Sequence, residues 1–422
     1  MVDDSIPVTV LSGTLGAGKT TVLNHVLRES DERDLAVLVN DMGEVNVDAD
    51  LVAESSDISE EEEELVELSN GCICCELRGD LLDAVGALTS EREFDALVVE
   101  STGVAEPLPV AQTLTMGFDQ SDLDPTEFYE ETGIEPLERC HLDTTVTVVD
   151  AHQFHEAMES EEILDDDGTK KHLGDLLVEQ VEFCDVLLLN KCDLVDEETL
   201  AEIEETLEAL QPRAEIVRTE HGAVDPDALV DTGRFDFEDA RTSAGWIQEL
   251  QEPHESAEEE HGVTSVVFEA RGPFHPERFA DYLDSFPETV VRAKGHFWIA
   301  GRGDEALTVN VAGRSIRVGP GGTWVAALPP EEQQAQLEAN PELEASWDEE
   351  VGDRNVMLVV IGTEMDHDAI RADLESCLLT ADELEEDWST YEDRFPTFDY
   401  EEAEEEGDNA DADAQEEVGL AD

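Results

Sequence analysis

The run Gly13-Thr14-Leu15-Gly16-Ala17-Gly18-Lys19-Thr20 constrains this chain more than any other feature. It has the spacing G-x4-G-K-[ST], and its flanks have the matching character. An apolar, β-branched run at 7–11 precedes it, and a helical pattern at 20–28 follows. Glycines let the backbone curl until several N–H groups converge on one point. The start of a helix adds a positive partial charge there. A lysine in that place reaches the β- and γ-phosphates, and the next hydroxyl serves Mg²⁺. The predicted ligand is therefore a nucleoside triphosphate with Mg²⁺. Its predicted contacts are Gly13, Gly16, Ala17, Gly18, Lys19, Thr20 and Thr21. Only five lysines occur in 422 residues, and one of them stands here.

The surrounding text supports the same architecture. Candidate strands at 7–11, 35–40, 65–68, 96–100, 145–149 and 186–190 alternate with helical patterns that include 20–28, 81–88, 107–115 and 198–210. Such alternation predicts an α/β unit, a mostly parallel sheet with helices on both faces. The acidic stretches 55–64 and about 118–141 read as surface insertions. A polar, acidic stretch at 236–262 reads as a linker. A second periodic region, 263–385, opens with a strand and a helix that Pro276 can start, and closes with another strand and helix. It predicts a small α+β unit after the first, 1–235. Residues 386–422 are expected to form an acidic disordered tail.

Charge narrows the function. The chain has 109 Asp and Glu against 23 Lys and Arg, a net charge of −86. Such a chain repels itself in dilute buffer. At molar salt the Debye length falls to about 3 Å and the repulsion is screened. A salt-rich, halophilic cytoplasm is the expected setting. No basic stripe exists to neutralise phosphates, so nucleic acid is not an expected partner. The start lacks the charged and apolar regions of a signal peptide, and no apolar run is long enough to span a bilayer. A cytoplasmic chain without a membrane partner is expected, with its seven cysteines reduced.

Four further segments carry chemistry. Asn190-Lys191-Cys192-Asp193 ends the run 186–190. A carboxylate at Asp193 can accept from guanine N1–H and its exocyclic amine, a donor pair that adenine lacks, so the nucleotide is read as GTP. Leu97-Val98-Val99-Glu100-Ser101-Thr102-Gly103 is a buried strand ending in an acid and a turn, where α/β sheets face their ligands. Glu100 there can hold Mg²⁺ through water, position the attacking water, or be an ordinary strand-terminal acid. Gly103 can follow the γ-phosphate. Past the second strand, Asp41, Glu44 and Asp48 are candidate oxygen ligands in a segment of switch type. Finally, Cys72, Cys74 and Cys75 put three thiols within four positions. Thiolates suit soft transition metals and three of them leave a coordination position open, so the chemistry favours a metal, while spacing alone keeps a redox switch as a rival. Cys184 and Cys377 sit among apolar residues and read as core. Cys140 with His141 reads as a bland pair in an insertion, and His254 and His261 as solvated linker residues.

Together these elements resemble the CobW-type GTPases, metal chaperones grouped with the nickel-insertion GTPases of hydrogenase and urease. The resemblance rests on "GTLGAGKTT" at 13–21, "NDMGEVNVD" at 40–48, "NGCICCELRGDL" at 70–81, "ESTGVAEP" at 100–107 and "NKCDL" at 190–194. In the second unit it rests on "VVRAKGHFWIAGR" at 290–302 and the segment 352–380. It implies a P-loop NTPase fold and a CobW-type C-terminal domain. It also implies that Cys72, Cys74 and Cys75 bind Zn²⁺ or Co²⁺, released to an unidentified metalloprotein client under GTP control. Asn190, Lys191 and Asp193 would read guanine, and Lys19 and Glu100 would serve hydrolysis. Family members usually carry Glu where Asp41 stands, and many have a His-rich linker where this chain keeps two histidines. A metal-sensing GTPase without delivery and a redox-switched NTPase are the alternative readings.

Overall fold

A computed structural model describes residues 5–30, 33–39, 65–67, 94–101, 139–160, 163–166, 169–236, 263–363 and 365–398. It also describes isolated positions at 81, 84–86, 88–89, 103, 110–111, 114–115, 240 and 247.

The first sheet has seven strands in the spatial order β3-β2-β4-β1-β5-β8-β9. In chain order these are β1 (Ile6–Gly13), β2 (Leu35–Val39), β3 (Leu65–Glu67), β4 (Ala96–Glu100), β5 (Cys140–Asp150), β8 (Val186–Asn190) and β9 (Glu215–Arg218). Every neighbouring pair is parallel. The run VTVLSG at the end of β1, and all of β4 and β8, are buried. That is why they read as unbroken apolar runs rather than as alternating ones. Helix α1 (Lys19–Glu29) lays Val22, Leu23 and Val26 on one face of the sheet. On the other face lie Leu81, Val85, Leu88, Val110, Ala111 and Leu114, from the two segments predicted as helices 81–88 and 107–115. The described positions of both are helical. Helices α2 (Ala151–Met158), α3 (Leu173–Val181) and α4 (Glu197–Leu210) cover the far end. A two-stranded antiparallel ribbon, β6 (Ile163–Asp166) and β7 (Thr169–His172), lies between α2 and α3.

Two boundaries differ from the sequence reading. The insertion expected to run to residue 141 ends earlier, because β5 begins at Cys140 rather than at 145. The segment CHLDT looked polar, yet Asp143 is buried and satisfied. Its carboxylate accepts from the N–H groups of Thr232 and Gly233 at 2.7 and 2.9 Å. Residues 386–398, expected to belong to the tail, pack on the second unit. Trp388 stands 6.1 Å from Trp298. Arg302 donates to Asp393 at 2.6 Å and to the carbonyls of Phe395 and Pro396. Phe395 joins the core. Aromatic residues inside an acidic run pulled residues 386–398 onto the fold.

The second sheet is antiparallel, five strands in the order β10-β14-β11-β12-β13. They are β10 (Val263–Ala270), β11 (Val290–Phe297), β12 (Glu305–Ala312), β13 (Ser315–Thr323) and β14 (Val356–Thr363). Helix α5 (Pro276–Asp284) begins at Pro276, as expected. Helices α6 (Pro330–Ala339) and α7 (Pro341–Ser346) precede β14, and α8 (His367–Cys377) follows it. Phe274, Phe279 and Phe297 form the centre of this core, the first two stacked at 4.2 Å. The opposite face of β14 meets the first unit, where Ala209 of α4 packs on Val359 and Ile361.

Candidate functional site

All seven strands of the first sheet run the same way, so their C-terminal ends share one edge. The chain order reverses across β1, which lies between β4 and β5. A crevice opens at such a point in open α/β sheets. Gly13 ends β1 there with φ 141°, and Gly16 and Gly18 also have positive φ, 81° and 105°. α1 starts at Lys19 without a side-chain cap. Its first N–H groups therefore point into the crevice as an anion site. Lys19 is buried, and its Nζ donates to the carbonyls of Gly13 and Thr14 at 2.8 and 3.3 Å. The ammonium thus spans the loop that would surround the phosphates.

Thr20 Oγ1 donates to Glu100 Oε1 at 3.4 Å, and Glu100 is 2% exposed. Two hard oxygens from α1 and β4 face each other, a donor set that fits Mg²⁺. Gly103 lies just beyond. A Cβ there would come within 2.7 Å of the Leu15 nitrogen, so the turn after β4 touches the phosphate loop directly.

The Asn190–Asp193 segment approaches the same loop from β8. Asn190 is 2% exposed. Its Nδ2 donates to Ala17 O at 2.9 Å, and its Oδ1 accepts from Gly222 N at 3.1 Å. A Cβ on Gly18 would collide with that amide nitrogen. Lys191, at φ 61°, donates to Gly16 O at 2.7 Å and to Asp150 Oδ2 at 2.6 Å. Asp150 in turn caps α2 through His152 N and Gln153 N. Asp193 is exposed beside this lattice. Asn190 and Lys191 thus brace the loop, while Asp193 presents its carboxylate outward.

The sequence reading missed the loop Thr219–Gly222. Thr219 N donates to Leu189 O at 2.8 Å, and Gly222, at φ 71°, packs on α1, where a Cβ would meet Val22 N at 2.8 Å. The available signal was "TEHG" directly after a short strand, a turn that needs glycine. Thr14 is also held, by Gln153 Oε1 at 2.7 Å.

Comparison with known proteins agrees with this geometry. The CobW/HypB/UreG nucleotide-binding domain matches residues 7–218, and the cobalamin synthesis protein CobW C-terminal domain matches residues 263–378. The chain belongs to the CobW/HypB/UreG family. It is 39% identical to the zinc-regulated GTPase metalloprotein activator 1 of Dictyostelium discoideum, over 90% of this chain and 81% of that protein. It is 30% identical to the zinc chaperone YjiA of Escherichia coli, over 72% of this chain and 85% of that one. It also matches the crystal structure of Zn(II)-bound YjiA GTPase from E. coli at 25% identity, covering 89% of this chain and 99% of that chain, with a TM-score of 0.38.

In this CobW-family chain the remaining candidates fall in two groups. Cys72, Cys74, Cys75, Asp41, Glu44, Asp48, His254 and His261 lie outside the described residues. The other four cysteines are described and buried. Burial pushes the Cys140 and Cys377 thiols up to about 11 from 9.0, and raises those of Cys184 and Cys192 as well. Such thiols pack as small apolar groups. Among the described residues no cluster of His, Cys, Asp and Glu could hold a metal, and no helix is long and apolar enough to cross a membrane.

Proposed function

We propose that this GTPase carries a transition metal, zinc foremost, on Cys72, Cys74 and Cys75 and passes it to a client metalloprotein under the control of GTP. The observation that carries the reading is topological. β3 ends at Glu67 on the same sheet edge as the phosphate loop, three strand positions from β1, which is roughly 14 Å at the usual spacing. Cys72 follows five residues later, a reach of at most about 18 Å. A segment of that length can span the distance to the nucleotide crevice, and this supports assigning the thiols to its neighbourhood. The relatives named as zinc chaperone and zinc-regulated activator favour zinc, while thiolates also accept Co²⁺.

In this account Gly13–Thr21 cradles the phosphates, and Asp193 reads guanine from its exposed position. Lys19 exchanges its carbonyl partners for phosphate oxygens. Mg²⁺, when bound, neutralises phosphate charge beside Thr20 and Glu100. Glu100 orients the water that attacks, and Gly103 follows the γ-phosphate. Asp41 and Glu44 are the further candidate oxygen ligands, and the nucleotide state governs release of the metal from the thiolates.

The test is the full chain carrying Cys72→Ser, Cys74→Ser and Cys75→Ser together. It should bind GTP as the parent does and lose tight Zn²⁺ binding. Parental Zn²⁺ affinity in that variant would make the site assignment wrong.

A further inference from the structure

Beside the apolar contact of α4, a second part of the contact between the two units is ionic and buried, and it is built on α3. On α3, Asp175 is 0% exposed. It accepts from Asn310 Nδ2 at 2.9 Å and Ser315 Oγ at 3.3 Å, and pairs with Arg317 Nε at 2.6 Å. Glu182, one residue past the helix, takes Arg292 Nε and Nη2 at 2.6 and 3.0 Å. Arg292 of β11 is 1% exposed. Its Nη1 donates to Asn310 Oδ1 at 2.5 Å, so one amide on β12 ties both pairs together. Charges taken out of water stay only where their geometry is fixed. A bidentate arginine fixes it in a plane.

The same helix reaches the nucleotide crevice. Gln180 Nε2 donates to Gly103 O at 3.4 Å. The backbone carbonyl of Gln180 accepts from Thr147 Oγ1 at 2.9 Å, and that hydroxyl pairs with Ser12 Oγ, also at 2.9 Å, one residue before the phosphate loop. α3 thus joins the Gly103 turn and the loop entrance at one end to the second sheet along its length. Close-packed interiors shift as units rather than deform.

We propose that Gln180 is a positioning residue for Gly103, and that α3 carries the position of that turn to the second sheet through the bracket Glu182–Arg292–Asn310–Asp175. The inference rests on the nucleotide reading above. It adds that the C-terminal sheet both senses and sets the GTP state.

A double-mutant cycle on the full chain in molar KCl tests it, with Gln180→Met, Arg292→Lys and the pair. Each single variant should lower kcat for GTP about tenfold, within the loss that misplacing a reacting group from a distance can cause, with GDP affinity within about twofold of the parent. The losses should not multiply in the pair. Multiplying losses, or parental kcat in Arg292→Lys, would overturn the proposal. Should either variant lack a cooperative thermal transition, hydrogen exchange in the parent decides. Amides of β11 and β12 should exchange at different rates with GDP and with a non-hydrolysable GTP analogue, and identical rates would refute the strut. A parent that binds no GTP refutes the site reading and takes this inference with it. That failure is separate from a parent that turns over GTP but shows no coupling.

Discussion

The Asn190 side-chain amide donates to the Ala17 carbonyl at 2.9 Å, joining the end of β8 to the phosphate loop. Its oxygen takes the Gly222 N–H, so one buried residue holds two loops in register. Replacing it strands a buried donor and a buried acceptor, a cost of about 1–3 kcal/mol. Asn190→Ala should weaken GDP and GTP binding by at least about tenfold, which is about 1.4 kcal/mol. Calorimetric titration with each nucleotide checks this, and parental affinity would contradict the bracing role.

Lys19 closes on the Gly13 and Thr14 carbonyls and is buried. Lys19→Ala should lower GTP turnover by at least about 100-fold, the usual loss when a charge-stabilising donor is removed. Its thermal transition should stay near that of the parent, because the loop keeps its Asn190 and Lys191 ties. Turnover within tenfold of the parent would contradict the assignment.

The Arg292–Glu182 pair gives a stability prediction. Arg292→Met leaves the Glu182 carboxylate buried without its guanidinium, at a cost of about 3–5 kcal/mol. Adding Glu182→Leu should restore most of that. Urea denaturation at fixed KCl measures both. A double variant as unstable as the single one would mean that packing, not charge, holds the units together.

Much of the fold was legible because its signals are local. The phosphate loop, the apolar strands β1, β4 and β8, and Pro276 at the start of α5 follow from spacing alone. Glu100 and Gly103 were legible as a strand end and a turn, and the structure brings both to Thr20 and Leu15. What sequence could not give depends on partners far away in the chain. Asp143 reads as a surface acid until Thr232 and Gly233, about ninety residues later, supply its donors. Arg292 reads as one more charge on a strand until Glu182 meets it. The bracing role of Asn190 depends on Gly222, and the docking of 386–398 on Trp298 and Arg302.

The four described cysteines are all buried. Cys140 and Cys377 are pushed up to about 11 by burial, and Cys184 and Cys192 are raised by the same cause. At pH 7.5 a disulfide reagent should titrate three thiols quickly in the metal-free native chain, those of Cys72, Cys74 and Cys75, and the other four only on unfolding. Four or more fast thiols would contradict the division. The linkage has a definite sign. A thiol held neutral in the fold contributes fully below its ordinary value of 9.0, and its contribution is lost as pH rises through about 11. Unfolding free energy should therefore fall between these values, and less steeply in Cys140→Ala.

A net charge of −86 makes stability depend on salt. The melting temperature should climb steadily as KCl rises from about 0.1 M to molar concentration, where the Debye length shrinks from about 10 to about 3 Å. A flat or falling profile would remove the case for a salt-rich setting.

The most direct measurement is an anaerobic Zn²⁺ titration of the full chain in molar KCl, once loaded with GDP and once with a non-hydrolysable GTP analogue. The account predicts dissociation constants that differ by at least about fivefold between the two states, the lower end of ordinary coupling. Equal constants would mean that the thiolates and the nucleotide ignore each other, and metal delivery timed by GTP would have no physical basis.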